Sequence, residues 1–109
     1  MPAKSIKPRK RYIAFRIHAP RTISRKEFIA AIRESTKDKS AWDRIRPWLT
    51  VFEHNEGILR CAHTAKDEAI ELLSSIKVMG IERVPITVET LGTSGTIKNA
   101  KRRFIGKGN

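Results

Sequence analysis

Apolar and polar side chains alternate along two segments, one near each end of the chain. Residues 11–18 and 83–91 place apolar side chains at every second position, which puts them on one face of an extended strand. Each segment is therefore predicted to be a half-buried strand. Pro85 favours an edge position for the second strand, because proline donates no ladder hydrogen bond. The apolar positions are Ile13, Phe15 and Ile17 in the first strand and Val84, Ile86 and Val88 in the second.

Between these strands the apolar spacing changes to that of helices. Ser24 lies three residues before Glu27, which is the spacing of a capping box and predicts the start of a first helix. A second helix is predicted to begin at Thr64 and to end at Gly80. The inward-facing residues are Phe28, Ile29 and Ile32 in the first helix and Ala69, Leu72, Leu73 and Ile76 in the second.

A β-hairpin is predicted in the middle of the chain, after a short helical turn that Pro47 ends. Two strand-like segments, 48–54 and 58–63, flank Asn55-Glu56-Gly57, which is typical of a three-residue turn. The order strand, helix, strand, strand, helix, strand predicts an α+β domain. It is the ferredoxin-like, or RNA-recognition-motif-like, βαββαβ arrangement, with one antiparallel sheet and two helices on one face. Residues 97–104 add an extra basic C-terminal helix.

The hairpin register decides which side chains reach the sheet face that the two helices leave open. Three interpretations of that face remain open. Its aromatic and arginine side chains could stack bases, they could dock a partner protein, or the C-terminal helix could cover them with Ile97, Ala100 and Phe104. A three-residue turn places Leu49, Val51, Leu59 and Cys61 on the helix-covered face, and Trp48, Phe52, Ile58 and Arg60 on the open face beside Tyr12 and Arg16. The candidate partner-binding residues are Tyr12, Trp48 and Phe52.

Positive charge is concentrated at the two ends of the chain, whose net charge is +12. Residues 1–11 and 98–109 each carry five basic side chains and no acidic one, whereas residues 12–97 hold 13 basic and 11 acidic side chains. Since each Lys or Arg near a phosphate releases a counterion, this pattern predicts nucleic-acid-binding ends on a nearly neutral domain. We expect a flexible basic arm at 1–10, one RNA-binding domain at 11–104 and a tail at 105–109.

Other classes of function have little support in the sequence. No apolar run approaches the ~20 residues that span a bilayer, and the basic N-terminus lacks the apolar stretch of a signal peptide, so no membrane partner is expected. The single cysteine, Cys61, suits a reducing, cytoplasmic location. Cys61 and His63 lack the further ligand pair that a zinc site needs, and no carboxylate cluster suggests a metal-dependent nuclease. We expect no catalytic residue and no bound cofactor on this chain.

The connection between the last strand and the C-terminal helix is the strongest candidate for phosphate binding. Gly92 and Gly95 would let an anion approach the backbone, and Thr96 is a good N-cap for a helix whose N-terminus favours anions. On a helical wheel the apolar residues cluster apart from the basic ones, so that one face can anchor the helix. An exposed basic helix without a ligand is the alternative. The candidate RNA-binding residues are Lys7, Arg9, Lys10, Arg11, Ser94, Gly95, Thr96, Lys98, Lys101, Arg102 and Arg103.

Four ordered blocks between residues 11 and 104 resemble archaeal ribonuclease P protein component 2, of the Pop-five family. Each block alone is weak, but together they are specific. The blocks are Arg11-Tyr12-Ile13-Ala14-Phe15, Arg46-Pro47-Trp48-Leu49, Gly57-Ile58-Leu59-Arg60-Cys61, and Leu91-Gly92-Thr93-Ser94-Gly95-Thr96-Ile97 followed by Ala100-Lys101-Arg102-Arg103-Phe104.

This resemblance implies a non-catalytic protein subunit of an RNA enzyme. In such enzymes the RNA, with bound magnesium, removes the 5′ leader of precursor tRNA, and the proteins stabilise its active fold. The resemblance also implies a pairing with ribonuclease P protein component 3. Two such pairs are expected to form a heterotetramer around a homodimer of this subunit.

Two alternatives remain from the residues alone. The first is a protein-interaction adaptor whose ends bind nucleic acid without specificity, and the second is a ribosomal or chromatin-type protein, which has the same composition but not the four blocks. RNA-recognition motifs carry aromatic residues on the third strand, whereas this strand reads Gly57-Ile58-Leu59-Arg60-Cys61-Ala62-His63. Recognition of RNA by shape and phosphate is therefore favoured over sequence-specific base stacking.

Overall fold

The computed structural model describes residues 9–105, so Lys7 and the arm and tail beyond these bounds lie outside the described residues. A single-turn 3₁₀ helix, His63–Ala65, separates the central hairpin from the third helix. The strands are β1 (Lys10–His18), β2 (Trp48–Glu53), β3 (Glu56–Ala62), β4 (Val78–Met79), β5 (Val84–Pro85) and β6 (Thr87–Ser94). The helices are α1 (Arg25–Ser35), α2 (Lys39–Ile45), α3 (Lys66–Ser75) and α4 (Ile97–Phe104).

The main sheet is antiparallel and has the strand order β2-β3-β1-β6. With α1 and α3 packed on one face, this is the predicted ferredoxin-like arrangement, and the extra C-terminal helix α4 is present. The edge position predicted for the last strand is confirmed for β6, which borders the sheet. The single strand predicted over 83–91 is wrong, because Val84–Pro85 form β5, where Pro85 pairs with Val78 in a separate two-stranded ribbon.

The first helix begins at the predicted capping box. The Glu27 backbone N–H donates to Ser24 Oγ at 3.1 Å, and the Ser24 N–H donates to Glu27 Oε1 at 3.0 Å. Arg21 donates to the same carboxylate at 3.0 and 2.8 Å, and with the Ser24 hydrogen bonds it lowers the pKa of Glu27 to about 2. The carboxylate therefore stays ionised and holds the loop before α1 against the helix start.

Three phenylalanine rings form the centre of the core between the sheet and its helices. Phe28 stacks on Phe15 with ring centroids 5.1 Å apart and on Phe52 with centroids 5.5 Å apart. Phe15 and Phe28 are fully buried. This stack joins β1 and β2 to α1, and therefore fixes how the central hairpin sits against the first helix.

The predicted three-residue turn of the hairpin is wrong. The turn is His54-Asn55, with φ values of 56° and 61°, and Glu56 and Gly57 belong to β3. Long-range hydrogen bonds hold Asn55 in this left-handed conformation: its side chain accepts from the Ile23 N–H at 2.7 Å, and its carbonyl accepts from the Ile17 N–H at 2.6 Å. A two-residue turn of this kind matches the twist of its strands.

The predicted register of β2 is also wrong beyond Leu49. Leu49 pairs with Leu59, but Val51 pairs with Ile58, so Thr50 is the extra residue of a β-bulge. The bulge exchanges the two following side chains between the faces of the sheet. Val51 therefore packs on the second face, and Phe52, a candidate partner-binding residue, packs in the aromatic core.

The second predicted helix begins two residues later and ends earlier than expected. A 3₁₀ turn precedes α3, which starts at Lys66 and ends at Ser75. Gly80 does not end this helix but lies with φ 78° in the turn between β4 and β5. Met79 of β4 is buried in the main core, so the small ribbon is packed against the rest of the domain.

Replacing Phe52 by alanine is expected to lower the free energy of unfolding by about 2–3 kcal/mol, because Phe52 is partly buried and loses its stacking on Phe15 and Phe28. Trp48→Ala, four residues earlier on the same strand, is the matched control and is expected to cost less than about 1 kcal/mol because Trp48 is 58% exposed. Urea unfolding of the full chain measures both. Equal losses in the two variants would contradict the observed register.

Candidate nucleic-acid interface

Helix α4 covers the second face of the sheet, which is the face opposite α1 and α3. Of the three interpretations of this face, the structure therefore supports coverage by the C-terminal helix. Ala100 of α4 is fully buried against Ala14 and Ile58. Ile97 and Phe104, the other two residues of the predicted anchoring face, pack around this contact. The centre of the face is therefore closed to base stacking in the manner of an RNA-recognition motif.

The two glycines of the connection to α4 have different surroundings. A Cβ atom at Gly92 would overlap the ring of Phe104, so this glycine is explained by the packing of α4 on β6. A Cβ atom at Gly95 would have Arg11 Nη1 as its nearest neighbour, at 3.8 Å, and φ there is not left-handed. The expectation that both glycines admit an anion is therefore wrong for Gly92, whereas the backbone at Gly95 is exposed.

The helix after this connection is capped as predicted. Thr96 Oγ1 accepts a hydrogen bond from the Asn99 backbone N–H at 3.2 Å. Ser94 is buried, and its hydroxyl accepts from the Thr96 N–H at 3.3 Å. Ser94 therefore holds the turn before the helix, and its side chain is not open to a ligand.

The basic residues of α4 all face solvent. Lys98, Lys101 and Arg102 are exposed on the predicted arc, and Arg102 donates to Asn99 Oδ1 at 2.9 Å. Arg103 is also exposed, with its guanidinium carbon 5.4 Å from the ring centroid of Phe104. The apolar face anchors the helix, and the opposite side presents a row of cations.

The first strand brings a second group of candidate residues to the same end of the sheet. Tyr12 pairs with Ser94 across β1 and β6, so the start of β1 lies beside the connection to α4. Arg9, Lys10 and Arg11 line a shallow hollow together with Gly95 and with His63, which was not a predicted site residue. The pairing of β3 with β1 places His63 beside Arg9. No local sequence pattern predicts this pairing.

The acidic side chains neutralise cations elsewhere in the domain. Within residues 9–105 the structure contains eight ion pairs, and no cation of residues 9–11 or 98–103 takes part in any of them. The basic partners are Arg16, His18, Arg21, Lys37, Lys39, Arg44 and His54. The charge segregation of the sequence is thus kept in the fold, with cations that have no acidic partner within residues 9–105 at the start of β1 and along α4.

A different surface lies at the β2 edge of the sheet. Trp42 and Trp48, which are 36% and 58% exposed, flank an apolar groove between α1, α2 and β2. Arg60 lies over the Trp48 ring, 6.0 Å from its centroid. Of the three candidate partner-binding residues only Trp48 is on this surface, because Tyr12 is partly covered by the α4 contact and Phe52 is in the core. The groove is lined by Arg25, Ile29, Ile32, Arg33, Trp42, Pro47, Trp48 and Leu49.

Cys61, the single cysteine of the chain, is buried in the core. Burial raises the pKa of the Cys61 thiol to about 11, against an opposing effect of the nearby Arg11, so the thiol is protonated at neutral pH. Within residues 9–105 no group of three or more His, Cys, Asp or Glu side chains could hold a metal ion. No helix in the same range is long and apolar enough to cross a membrane.

The fold and the surface together define a class, a ferredoxin-like α+β domain whose second sheet face carries a basic helix. The model of the Rpp14/Pop5 family matches residues 11–105 of the chain. The chain therefore belongs to the Rpp14/Pop5 family.

Relatives in archaea are similar over nearly the whole chain. Ribonuclease P protein component 2 of Archaeoglobus fulgidus is 36% identical over 106 residues, which cover 93% of this chain and 93% of that protein. The protein of the same name from Methanocaldococcus jannaschii is 31% identical over 105 residues, covering 94% of this chain and 77% of that protein.

A solved structure supports the fold independently. A chain in a cryo-EM structure of yeast ribonuclease MRP superposes with a TM-score of 0.65, over 85% of this chain and 79% of that chain. The two sequences are 16% identical, so the likeness bears on the fold alone.

Replacing Gly92 by alanine is expected to lower the free energy of unfolding by about 2 kcal/mol, because the new methyl group overlaps the Phe104 ring and pushes α4 away from β6. Gly95→Ala is the matched control in the same connection, and its open surroundings predict a change within about 0.5 kcal/mol. Urea unfolding and hydrogen exchange of the α4 amides measure the two effects. A Gly92 variant as stable as the native chain would exclude the observed packing of α4.

Proposed function

We propose that the chain is a protein subunit of ribonuclease P that binds the catalytic RNA and stabilises its active fold while the RNA removes the 5′ leader of precursor tRNA. The observation that carries this proposal is the family match over residues 11–105, together with relatives named ribonuclease P protein component 2. The cations at the start of β1 and along α4, which have no acidic partner within residues 9–105, support this role because they can pair with RNA phosphates.

The cleavage chemistry belongs, in this proposal, to the RNA and to magnesium ions bound there. A protein nuclease that uses two metal ions needs clustered carboxylates. The carboxylates of this domain are instead distributed over ion pairs such as Arg44 with Glu68, at 2.7 Å, and Arg16 with Glu56, at 2.8 Å. The chain itself binds no cofactor, and its buried, reduced cysteine suits a cytoplasmic enzyme.

RNA binding would use two structural elements that meet at one end of the sheet. The start of β1 contributes Arg9, Lys10 and Arg11, and the exposed side of α4 contributes its lysines and arginines. Since none of these cations has an acidic partner within residues 9–105, each can displace a counterion from the RNA at no cost in broken ion pairs. Precursor tRNA would meet the same positive field in the assembled enzyme.

Reversing the charge of Lys101, Arg102 and Arg103 to glutamate is expected to weaken RNA binding strongly. Each lost phosphate contact should reduce the slope of log K against log salt by about one unit. Filter binding of ribonuclease P RNA at several salt concentrations measures the slope.

The matched control reverses Lys26, Lys37 and Lys77, which are also exposed but belong to the helices and the loop away from α4. It changes the net charge by the same amount and is expected to leave the slope nearly unchanged. An unchanged slope in the α4 variant would remove this helix from the RNA interface.

Reconstituted cleavage of precursor tRNA tests the function itself. The catalytic RNA is assayed alone, with this protein, with component 3 and with both proteins. We expect the pair to raise the cleavage rate or lower the magnesium requirement, and this chain alone to cleave nothing. A chain that binds the RNA but never changes cleavage would contradict the proposal and favour the adaptor alternative, for which the tryptophan groove is the supporting observation.

We further propose that ribonuclease P protein component 3 binds the groove at Trp42 and Trp48. Exposed tryptophans beside an apolar groove are typical of protein interfaces, where such residues dominate the binding energy. Arg25 and Arg33 also line this groove. A second copy placed there by two-fold symmetry would bring the same arginines together, so a partner with acidic side chains fits better. The homodimer expected within a heterotetramer would then use another surface.

Trp48→Ala is expected to weaken the complex with component 3 at least tenfold, because the substitution removes a large exposed anchor from the groove. Ile81→Ala is the control, since Ile81 is fully exposed and outside the groove. Isothermal titration with component 3 measures affinity, and light scattering measures self-association in parallel. Loss of self-association with unchanged affinity for component 3 would assign the groove to the homodimer instead.

A further inference from the structure

The hollow at the start of β1 is built on rigid backbone. Lys10 pairs with Ala62 across β1 and β3, and the His63 backbone N–H donates to the Arg9 carbonyl at 3.1 Å. The hollow lies between this pair of strands and the connection that leads into α4. The backbone that carries its side chains is therefore held by the sheet before any ligand arrives, which lowers the entropic cost of binding one.

The side chains around the hollow are cationic and have no acidic partner. Arg9, Lys10 and Arg11 take part in none of the ion pairs within residues 9–105. The field of these three cations is repulsive for another positive charge and attractive for an anion. An anionic ligand in the hollow would be attracted by their combined charge.

His63 differs from the other two histidines of the chain. His18 lies 2.7 Å from Glu89, and His54 lies 3.9 Å from Glu53. The His63 side chain has no carboxylate or hydrogen-bond partner within residues 9–105, and it is partly buried in the wall of the hollow. Its ring can therefore donate a hydrogen bond to an anion there.

Neither close packing nor a left-handed backbone conformation explains why residue 95 is a glycine. Its φ is not left-handed, and a Cβ atom would lie in ordinary contact with Arg11 Nη1 at 3.8 Å. What the missing side chain does provide is an open approach to the hollow beside Arg11. Gly92, three residues earlier, has its structural explanation in Phe104 and offers no such opening.

We propose that this hollow binds one phosphate of the RNA backbone, held by Arg9, Lys10 and Arg11, with His63 as an additional contact. Arginine guanidinium groups match phosphate oxygens with two parallel hydrogen bonds, and the exposed backbone at Gly95 lets the phosphate come close. The inference rests on the proposed RNA-binding function. It adds to that function a defined binding position for one phosphate. A diffuse positive surface would attract RNA without fixing the position of any phosphate.

Gly95→Glu places a carboxylate at the hollow and is expected to weaken the binding of ribonuclease P RNA about tenfold, with a salt slope lower by about one unit. Gly95→Gln has similar size without the charge, and we expect at most a threefold loss. Ser74→Glu is the control, because it makes the same change in net charge at an exposed position near the end of α3. Ser74 lies about 12 Å along the helix axis from Lys66, the α3 residue that is nearest to His63 in the sequence. Filter binding with the full chain measures all three, after thermal melts show that they fold.

The inference is overturned if Ser74→Glu weakens binding as much as Gly95→Glu, or if the two Gly95 variants lose equal affinity. A native chain without salt-dependent RNA binding would overturn the proposed function as well. If the native chain binds and raises cleavage with component 3 while Gly95→Glu behaves like the native chain, only the phosphate site fails.

A second measurement reports on His63 directly. Titration of the full chain with inorganic phosphate, followed by NMR, is expected to shift the ring signals of His63 saturably and to leave those of His18 and His54 unchanged. His63→Gln is expected to weaken RNA binding about threefold. An unshifted His63 signal, or a His63 variant with native affinity, would remove His63 from the site.

Discussion

The packing of α4 on the second face of the sheet is the contact on which the proposed RNA surface depends. It requires small residues where the helix and the strands meet, because Ala100 lies directly on Ala14 and the ring of Phe104 occupies the space above Gly92. Protein interiors are close-packed, so an added methyl group at Gly92 requires the Phe104 ring or the helix that carries it to shift. The orientation of the α4 cations is thus set by apolar groups on the opposite side of the same helix.

Folding keeps apart the charges that the sequence already separates. Arg21 and Arg44 compensate carboxylates around the helices, while the cations at the start of β1 (residues 9–11) and on α4 have no acidic partner in residues 9–105. Such a concentration of like charge opposes the compact state, although solvent exposure and salt reduce the cost. A polyanion would reverse the sign of this contribution, so RNA binding would also stabilise the fold.

Features with a local signal could be predicted, and features held by distant contacts could not. The capping box of Ser24 and Glu27 and the apolar face of α4 depend on residues within one or two helical turns, and both are confirmed. The hairpin turn depends on Asn55, whose partners Ile23 and Ile17 lie more than thirty residues earlier in the chain. The bulge at Thr50 then reversed the two residues after it, so Phe52 was expected on the wrong face.

Only the local features of the candidate site could be predicted from the sequence, because its arrangement also depends on distant contacts. The basic residues of both ends follow from composition, but the sequence places Arg9 and Gly95 far apart and gives no link between them and His63. The sheet supplies that link, since β1 pairs with β3 on one side and with β6 on the other. The start of β1, the end of β3 and the connection into α4 then meet at one corner. The start of β1, which carries the described part of the N-terminal basic segment, therefore lies beside the connection that leads into the basic helix α4.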